Sequence, residues 1–104
     1  MNKNMKWGLV TGAVMMCIAI LFFVQNSPDG AELFRNQGCI GCHSFKGKGG
    51  QTCPDLTGVK GRRSDGWIRE QIKDPSKHNP NTRMPTFGNL SYREISAIIR
   101  YLKS

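Results

Sequence analysis

The segment from Cys39 to His43 restricts the fold of this chain more than any other feature of its sequence. It reads Cys-Ile-Gly-Cys-His, and two thiols three residues apart on one helical turn can reach both vinyl groups of a haem. The histidine that follows directly then points at the iron. A redox disulfide would need a strand–helix context, and a zinc site would need a second ligand pair. The segment therefore predicts one haem c, covalently attached through Cys39 and Cys42, with His43 as an axial ligand.

The part of the chain that can form a core is small. Of the 104 residues, the first two dozen are so apolar that they stand apart, which leaves about 80 for the folded domain. A domain of this size buries little apolar area and usually needs a disulfide, a metal or a large cofactor. We therefore expect an all-α domain of three or more short helices around one haem, whose macrocycle supplies the missing apolar interior.

Residues 7–24 form an apolar segment without a charged residue, WGLVTGAVMMCIAILFFV. As a helix it would be about 27 Å long, close to the thickness of a bilayer's hydrocarbon core. Lys3 and Lys6 precede it, so the positive-inside rule places residues 1–6 in the cytoplasm. A cleaved signal peptide would have a shorter apolar region that ends at a small-x-small site. We expect an uncleaved transmembrane anchor, with Cys17 as a small apolar residue rather than a lipid attachment site.

Residues 25–28 are expected to form a short linker, followed by the haem domain over residues 29–104. Three segments of this part open on a serine that can cap a helix and end where a helix should stop. They run from Ser27 through Pro28 to Gly38, from Ser64 to Pro75, and from the Ser91–Glu94 capping box towards the C-terminus. The stretches between them are rich in glycine and proline, have no periodicity and are expected to be loops.

The sixth iron ligand is expected to come from the loop before the last helix. Met84 is the only methionine after the apolar segment, and Pro85 would stiffen the backbone beside it. A thioether is a common axial ligand in haem electron carriers. His78 is the alternative, and a bis-histidine site would have a lower reduction potential.

These features together resemble a class I cytochrome c, in particular the short bacterial monohaem domains found free or fused to membrane oxidase subunits. The resemblance covers residues 29–104. Gly30 and Phe34 match the family's N-terminal helix, and Tyr101 and Leu102 match its C-terminal helix. It implies a cytochrome c-like fold in which the two helices cross closely at Gly30.

The family's Gly-Pro-x-Leu segment is matched by Cys53-Pro54-Asp55-Leu56. By this resemblance the Pro54 carbonyl accepts a hydrogen bond from Nδ1 of His43, which fixes the ring and raises its basicity. Cys53 stands where the family has glycine. If the backbone there needs a positive φ, a cysteine would be strained. We interpret Cys53 as a small buried residue, with a regulatory or cross-linking thiol as the alternative.

The family also has an Arg or Trp that donates a hydrogen bond to a haem propionate. Arg62, Arg63 and Trp67 lie in the corresponding region, and the sequence does not choose between them. A solvated basic face is the alternative for the arginines, and a place in the core is the alternative for Trp67.

The net charge of the chain and its distribution indicate which class of partner it binds. The formal net charge is +8, from 15 Lys and Arg against 7 Asp and Glu, which invites a nucleic-acid interpretation. The basic residues are scattered, without aromatic interleaving or a nucleic-acid-binding motif. We expect instead a basic face that docks a membrane redox protein with an acidic surface.

The predicted function is electron transfer between membrane respiratory redox complexes, and not enzymatic catalysis, because two protein ligands leave no open iron position. A fixed haem subunit of a quinol-oxidising or terminal reductase or oxidase complex is the first alternative. A haem-based ligand sensor is the second, and a peroxidase would normally need another haem. The expected location is the bacterial inner membrane, with the haem domain periplasmic or otherwise extracytoplasmic.

Overall fold

The computed structural model describes the backbone of residues 3–25 and 27–104 and the side chains of residues 8–23 and 27–104. Five α-helices lie in this part of the chain: α1 (Lys3–Gln25), α2 (Gly30–Asn36), α3 (Cys39–Cys42), α4 (Asp65–Lys73) and α5 (Tyr92–Leu102). Two strands, β1 (Ser44–Phe45) and β2 (Lys48–Gly49), form an antiparallel pair. Two 3-10 turns cover Val59–Gly61 and Pro75–Lys77. The domain after α1 is thus helix-rich, as expected.

The helix α1 covers the predicted anchor. In the portion of the chain that the structure describes, no helix is long and apolar enough to cross a membrane. The predicted span starts at Trp7 and ends at Val24, and both side chains lie outside the described residues, as do those of residues 1–6, 25 and 26. The anchor and its boundaries therefore remain predictions.

The N-cap of α2 is Asp29 and not Ser27, so the cap prediction was wrong there. Oδ1 of Asp29 accepts from the backbone N–H of Ala31 at 3.0 Å and of Glu32 at 3.4 Å. The hydroxyl of Ser27 instead donates to the Phe23 carbonyl, 3.0 Å away. A carboxylate satisfies two N–H groups and also complements the helix dipole, which favours Asp29 at this position.

The caps of α4 and α5 are confirmed. Oγ of Ser64 accepts from the N–H of Trp67 at 3.2 Å. Oγ of Ser91 accepts from the N–H of Glu94 at 3.1 Å, and the Glu94 carboxylate accepts from the N–H of Ser91 at 2.9 Å. Both bonds of a capping box are therefore formed.

The core lies where α2 crosses α5. Gly30 is buried at the crossing, and a Cβ on it would lie 2.0 Å from the Ala97 carbonyl oxygen, so only glycine allows this approach. The rings of Phe34 and Tyr101 pack beside it, with centroids 5.6 Å apart. Further buried apolar side chains complete the core: Phe45, Val59, Ile68, Ile72, Leu90, Ile95, Ile98, Ile99 and Leu102. The close crossing expected from the resemblance is confirmed.

The segment after the Cys-Ile-Gly-Cys-His motif is more ordered than the predicted loop. Ser44 pairs with Gly49 and Phe45 with Lys48, around a two-residue turn in which Lys46 and Gly47 have φ of 52° and 81°. Two positive φ values match the right-handed twist of a hairpin. Strands of two residues are too short to show an alternating pattern, so the sequence did not predict them.

Candidate haem site

The helix α3 presents the two predicted attachment thiols on a single turn. It starts after Gly38, whose φ of 83° only glycine adopts without strain, and its last residue is Cys42. Cys39 is half-buried while Cys42 is exposed, and burial raises the pKa of the Cys39 thiol. His43 leaves the helix in an extended conformation, and its N–H donates to the Cys39 carbonyl at 2.9 Å. The turn thus holds both thiols and the ligand histidine in one rigid unit.

The His43 ring is held in place by a hydrogen bond through its Nδ1. Its Nδ1 lies 2.7 Å from the carbonyl oxygen of Pro54. A carbonyl only accepts, so Nδ1 carries the proton and the lone pair is on Nε2. This is the contact that the resemblance implied. It leaves Nε2 as the ring nitrogen that can bind the iron.

Two glycines after the motif let the chain pack directly against α3. A Cβ on Gly50 would lie 2.2 Å from the carbonyl oxygen of Gly41, and a Cβ on Gly49 would lie 2.4 Å from that of His43. Gly50 also donates its N–H to the Ile40 carbonyl at 2.8 Å. Sequence reasoning assigned these glycines only to a loop. The Gly49-Gly50 pair itself was the available signal.

The Pro54 loop is braced by hydrogen bonds around Asp55. Its Oδ1 accepts from the N–H and hydroxyl of Thr57, at 3.0 and 2.8 Å. These two bonds lower the pKa of the Asp55 carboxyl below its usual value. The guanidinium of Arg62 donates to the carbonyls of Thr57 and Asp55, at 2.8 and 2.9 Å. Arg62 therefore braces the loop that carries Pro54.

Cys53 is accommodated without backbone strain. Lys46 is the one non-glycine residue with positive φ in the described part of the chain, so Cys53 avoids that conformation. Its N–H donates to the Cys42 carbonyl at 3.1 Å. Desolvation raises the pKa of its thiol, which disfavours the reactive thiolate.

Met84 lies in the second loop, between α4 and α5, and is half-buried. Its backbone N–H donates to Oγ1 of Thr82 at 3.1 Å, and its Sδ accepts from Nε2 of Gln71 at 3.4 Å. A thioether sulfur is a weak acceptor, so this bond leaves it able to bind a metal. Met84 is thus held by residues of α4 and of its own loop.

His78 is enclosed by other side chains. Its Nδ1 lies 2.7 Å from Oε1 of Gln71, and its Nε2 lies 3.4 Å from Oε2 of Glu70. The ring stacks on Trp67, with centroids 4.3 Å apart and planes 1° from parallel. Arg63 lies over the same Trp67, 4.2 Å from its centroid. Both ring nitrogens of His78 therefore face protein partners.

The residues present fit a covalently attached haem. The two thiols lie on one turn, and the neighbouring histidine has its Nδ1 bound by Pro54, which leaves Nε2 for a metal. Seven hydrophobic side chains packed against the core remain only partly buried in the described part of the chain, among them Ile40, Leu56, Trp67 and Phe87. A large apolar cofactor would cover such surface and complete the core.

Comparison with known proteins gives the same result. Residues 27–104 match the family Cytochrome c. Cytochrome c oxidase subunit 2 of Alkalihalophilus pseudofirmus is 29% identical over 84 residues, 73% of this chain and 25% of that protein. The Bacillus subtilis subunit of the same name is 29% identical over 92 residues, 74% of this chain and 26% of that protein. A nitric oxide reductase subunit of Stutzerimonas stutzeri is 32% identical over 83 residues, 71% of this chain and 54% of that protein.

The chain thus spans about a quarter of the two oxidase subunits and about half of the reductase subunit. The family match alone covers residues 27–104, well over half of the chain, and includes the Cys-Ile-Gly-Cys-His motif and both loops described above. The predicted resemblance and the predicted cofactor are confirmed. The chain belongs to the cytochrome c family, and its cofactor is one haem c attached covalently through Cys39 and Cys42.

Proposed function

We propose that this protein is a membrane-anchored electron carrier whose haem iron is bound by His43 and Met84. Electron transfer is the function of the family, and the axial ligands, the anchor and the partners are the proposal. The hydrogen bonds of the two histidines are the observation that supports the choice of axial ligands. Nδ1 of His43 is bound by Pro54, which directs Nε2 to the iron, whereas both ring nitrogens of His78 face Gln71 and Glu70.

Met84 is then the better sixth ligand. Using His78 would break its contact with Gln71 or with Glu70, while the Met84 sulfur has only a weak bond to lose. A thioether ligand gives a higher reduction potential than a second imidazole. With both axial positions taken by protein, no position is open for a substrate. The chain's role is then to hand single electrons to other proteins.

The N-terminal helix supports an anchored carrier. Large apolar side chains are exposed all round α1: Leu9, Val10, Val14, Met15, Met16, Ile18, Ile20, Leu21, Phe22 and Phe23. A helix that is apolar on every face needs apolar surroundings, which a bilayer supplies. Residues 7–24 would then hold the haem domain at the outer face of a bacterial inner membrane, with residues 1–6 in the cytoplasm.

A basic face supports an acidic partner. Nζ of Lys46 lies 3.5 Å from Oγ of Ser104, and Nζ of Lys60 lies 3.2 Å from the carbonyl oxygen of Lys103. Three lysines from distant parts of the sequence therefore meet at the end of α5, and among the described residues only Lys103 forms an ion pair there, with Asp65 at 2.9 Å. Clustered positive charge steers an acidic donor or acceptor into an encounter.

A fixed subunit of a larger complex is the second candidate. The relatives named above are subunits of an oxidase and of a nitric oxide reductase, which favours a similar association for this chain. A fixed subunit would co-purify with a stoichiometric partner in mild detergent. A free carrier would be recovered by itself.

The absorption spectrum of the purified full-length holoprotein tests the ligands. We expect a low-spin c-type spectrum with the weak near-infrared-edge band of iron–methionine bonding in the oxidised form. Met84→Ala should lose this band, while the matched variant His78→Phe, which retains an aromatic ring to stack on Trp67, should keep it. Carbon monoxide should barely change the ferrous wild type. A large change would favour the sensor, and absence of the band from the wild type would overturn the Met84 assignment.

A further inference from the structure

The first turn of α5 lies beside the end of the N-terminal helix. The guanidinium of Arg93 lies over the ring of Phe23, 5.0 Å from its centroid. Phe23 is the last residue but one of the predicted membrane span, residues 7–24. In an anchored chain, Arg93 therefore reaches the level at which the apolar helix passes from the hydrocarbon core into the headgroup layer.

Tyr92, the neighbouring residue, presents an aromatic ring on the same turn. Its exposed fraction is 72%, and among the described residues beyond α1 it is the one large hydrophobic side chain left exposed. The guanidinium of Arg69 lies 3.8 Å from the ring centroid and donates to the Tyr92 carbonyl at 3.2 Å. Arg69 also donates to Oγ of Ser96 at 2.7 Å. These contacts hold the exposed ring of Tyr92 in one place on the surface.

The position of the tyrosine matters more than its exposure. A single exposed ring is ordinary on a protein surface, but tyrosine and arginine together are the side chains that anchor proteins in the headgroup layer. A ring with a hydroxyl suits that mixed layer, and a guanidinium can donate two parallel hydrogen bonds to a phosphate. Three carboxylates line a groove on the α2 side of this turn. Two of them, Asp29 and Glu94, accept backbone N–H bonds at helix starts, which compensates their charge.

We propose that Tyr92 and Arg93 form a lipid-contacting surface, with phospholipid headgroups as its partner, which fixes the orientation of the haem domain on the bilayer. The inference rests on the proposed function, in which α1 anchors the chain. An anchor at one point leaves the angle between domain and membrane undetermined, and interfacial side chains set such angles. Two side chains are too few to hold the domain at a membrane alone. The anchor keeps them at a high effective concentration there.

Polarised absorption of the full-length holoprotein in oriented phosphatidylcholine–phosphatidylglycerol bilayers tests this inference, because dichroism of the haem bands reports the angle between the haem plane and the membrane. The wild type should show clear dichroism. Tyr92→Ser should lose most of it, whereas Tyr92→Trp preserves an interfacial aromatic ring and should retain it. Arg93→Gln should also weaken the dichroism. Arg100→Gln makes the same change about two turns further along α5, beside Pro28 and Asp29, and should behave as wild type.

Co-sedimentation with vesicles of the same lipids and the haem spectrum show that each variant is folded and anchored. Both should be unchanged, because the side chains of Tyr92 and Arg93 are exposed. Unchanged dichroism in Tyr92→Ser overturns the inference while the anchor stands, since the Arg93–Phe23 contact alone would then set the angle. A wild type that co-sediments without dichroism overturns it as well. A wild type that does not co-sediment overturns both the inference and the proposed anchor.

Discussion

At the scale of single residues, one missing side chain decides whether the two main helices can cross. Gly30 allows the α2 backbone to approach Ala97 of α5 so closely that even a methyl group would overlap its carbonyl oxygen. The obstacle is backbone in the middle of a helix, which cannot move aside as a flexible side chain can. The rings of Phe34 and Tyr101 depend on the same approach.

Gly30→Ala should therefore destabilise the holoprotein by about 1–3 kcal/mol, the usual cost of overpacking a core. Urea unfolding followed by circular dichroism measures the change. Gly66→Ala is the matched control, because Gly66 also lies in a helix and a Cβ there meets no atom within 4 Å. Its effect should be neutral or stabilising by up to about 1 kcal/mol. Equal destabilisation by both substitutions would contradict the explanation.

The ionisation of Asp55 makes the stability contributed by the Pro54 loop depend on pH. Its pKa is lowered in the folded state by the two bonds from Thr57, so the ionised carboxylate stabilises the fold. This contribution is fully present above the unfolded pKa, about 3.9, and is lost as the pH falls through the lower folded pKa.

We expect the stability difference between wild type and Asp55→Asn to shrink from about pH 5 to about pH 2, because asparagine does not titrate. Urea unfolding of the two holoproteins across this range measures it. A difference that stays constant with pH would show that the charge of Asp55 is not involved.

At the scale of elements, the stability of the domain's short helices depends on the hydrogen bonds that cap their ends. An 11-residue helix such as α5 is marginal by itself, and its first turn leaves N–H groups without partners. The Ser91–Glu94 capping box satisfies two such groups. The buried face of the helix supplies the rest of its stability: Ile95, Ala97, Ile98, Ile99 and Leu102.

Ser91→Ala should cost about 1 kcal/mol of unfolding free energy, because the N–H of Glu94 loses its acceptor. Ser91→Asp preserves an acceptor at the N-cap and should therefore lose little unfolding free energy. The measurement is the urea midpoint of each holoprotein with an unchanged denaturant slope. If alanine and aspartate have the same effect, the cap does not stabilise α5 through this bond.

At the scale of the whole molecule, the haem is part of the core. Ten apolar residues form the described buried cluster, which is little for a domain of this length. The Cys39→Ala/Cys42→Ala double variant should lack covalent haem and lose cooperative unfolding. Circular dichroism during thermal and urea unfolding would show it. Cys17→Ala removes a thiol in α1 instead and should retain the haem and the wild-type transition.

The N-terminal helix and the haem domain should be separable, because the described core is formed by residues beyond α1. A fragment of residues 27–104, the range of the family match, should attach haem with the full-length spectrum. The full chain should co-sediment with lipid vesicles, whereas the fragment should stay in the supernatant. A full chain that remains in the supernatant would overturn the proposed anchor.

The sequence by itself determined what depends on short spacing. The attachment motif, the Ser64 cap and the Ser91–Glu94 capping box are local patterns, so each could be predicted from a few neighbouring residues. The family resemblance added the His43–Pro54 contact and the crossing at Gly30, which join distant parts of the chain.

Only the tertiary structure decided what depends on packing between loops. The approach of Gly49 and Gly50 to α3 and the bracing of Pro54 by Arg62 join residues whose order along the chain carries no periodic signal. The same is true of the contacts that enclose His78 and connect Gln71 to Met84. Sequence alone left His78 open as a ligand. Its two ring nitrogens are directed by Gln71 and Glu70, and such geometry exists only once α4 and the following loop have packed together.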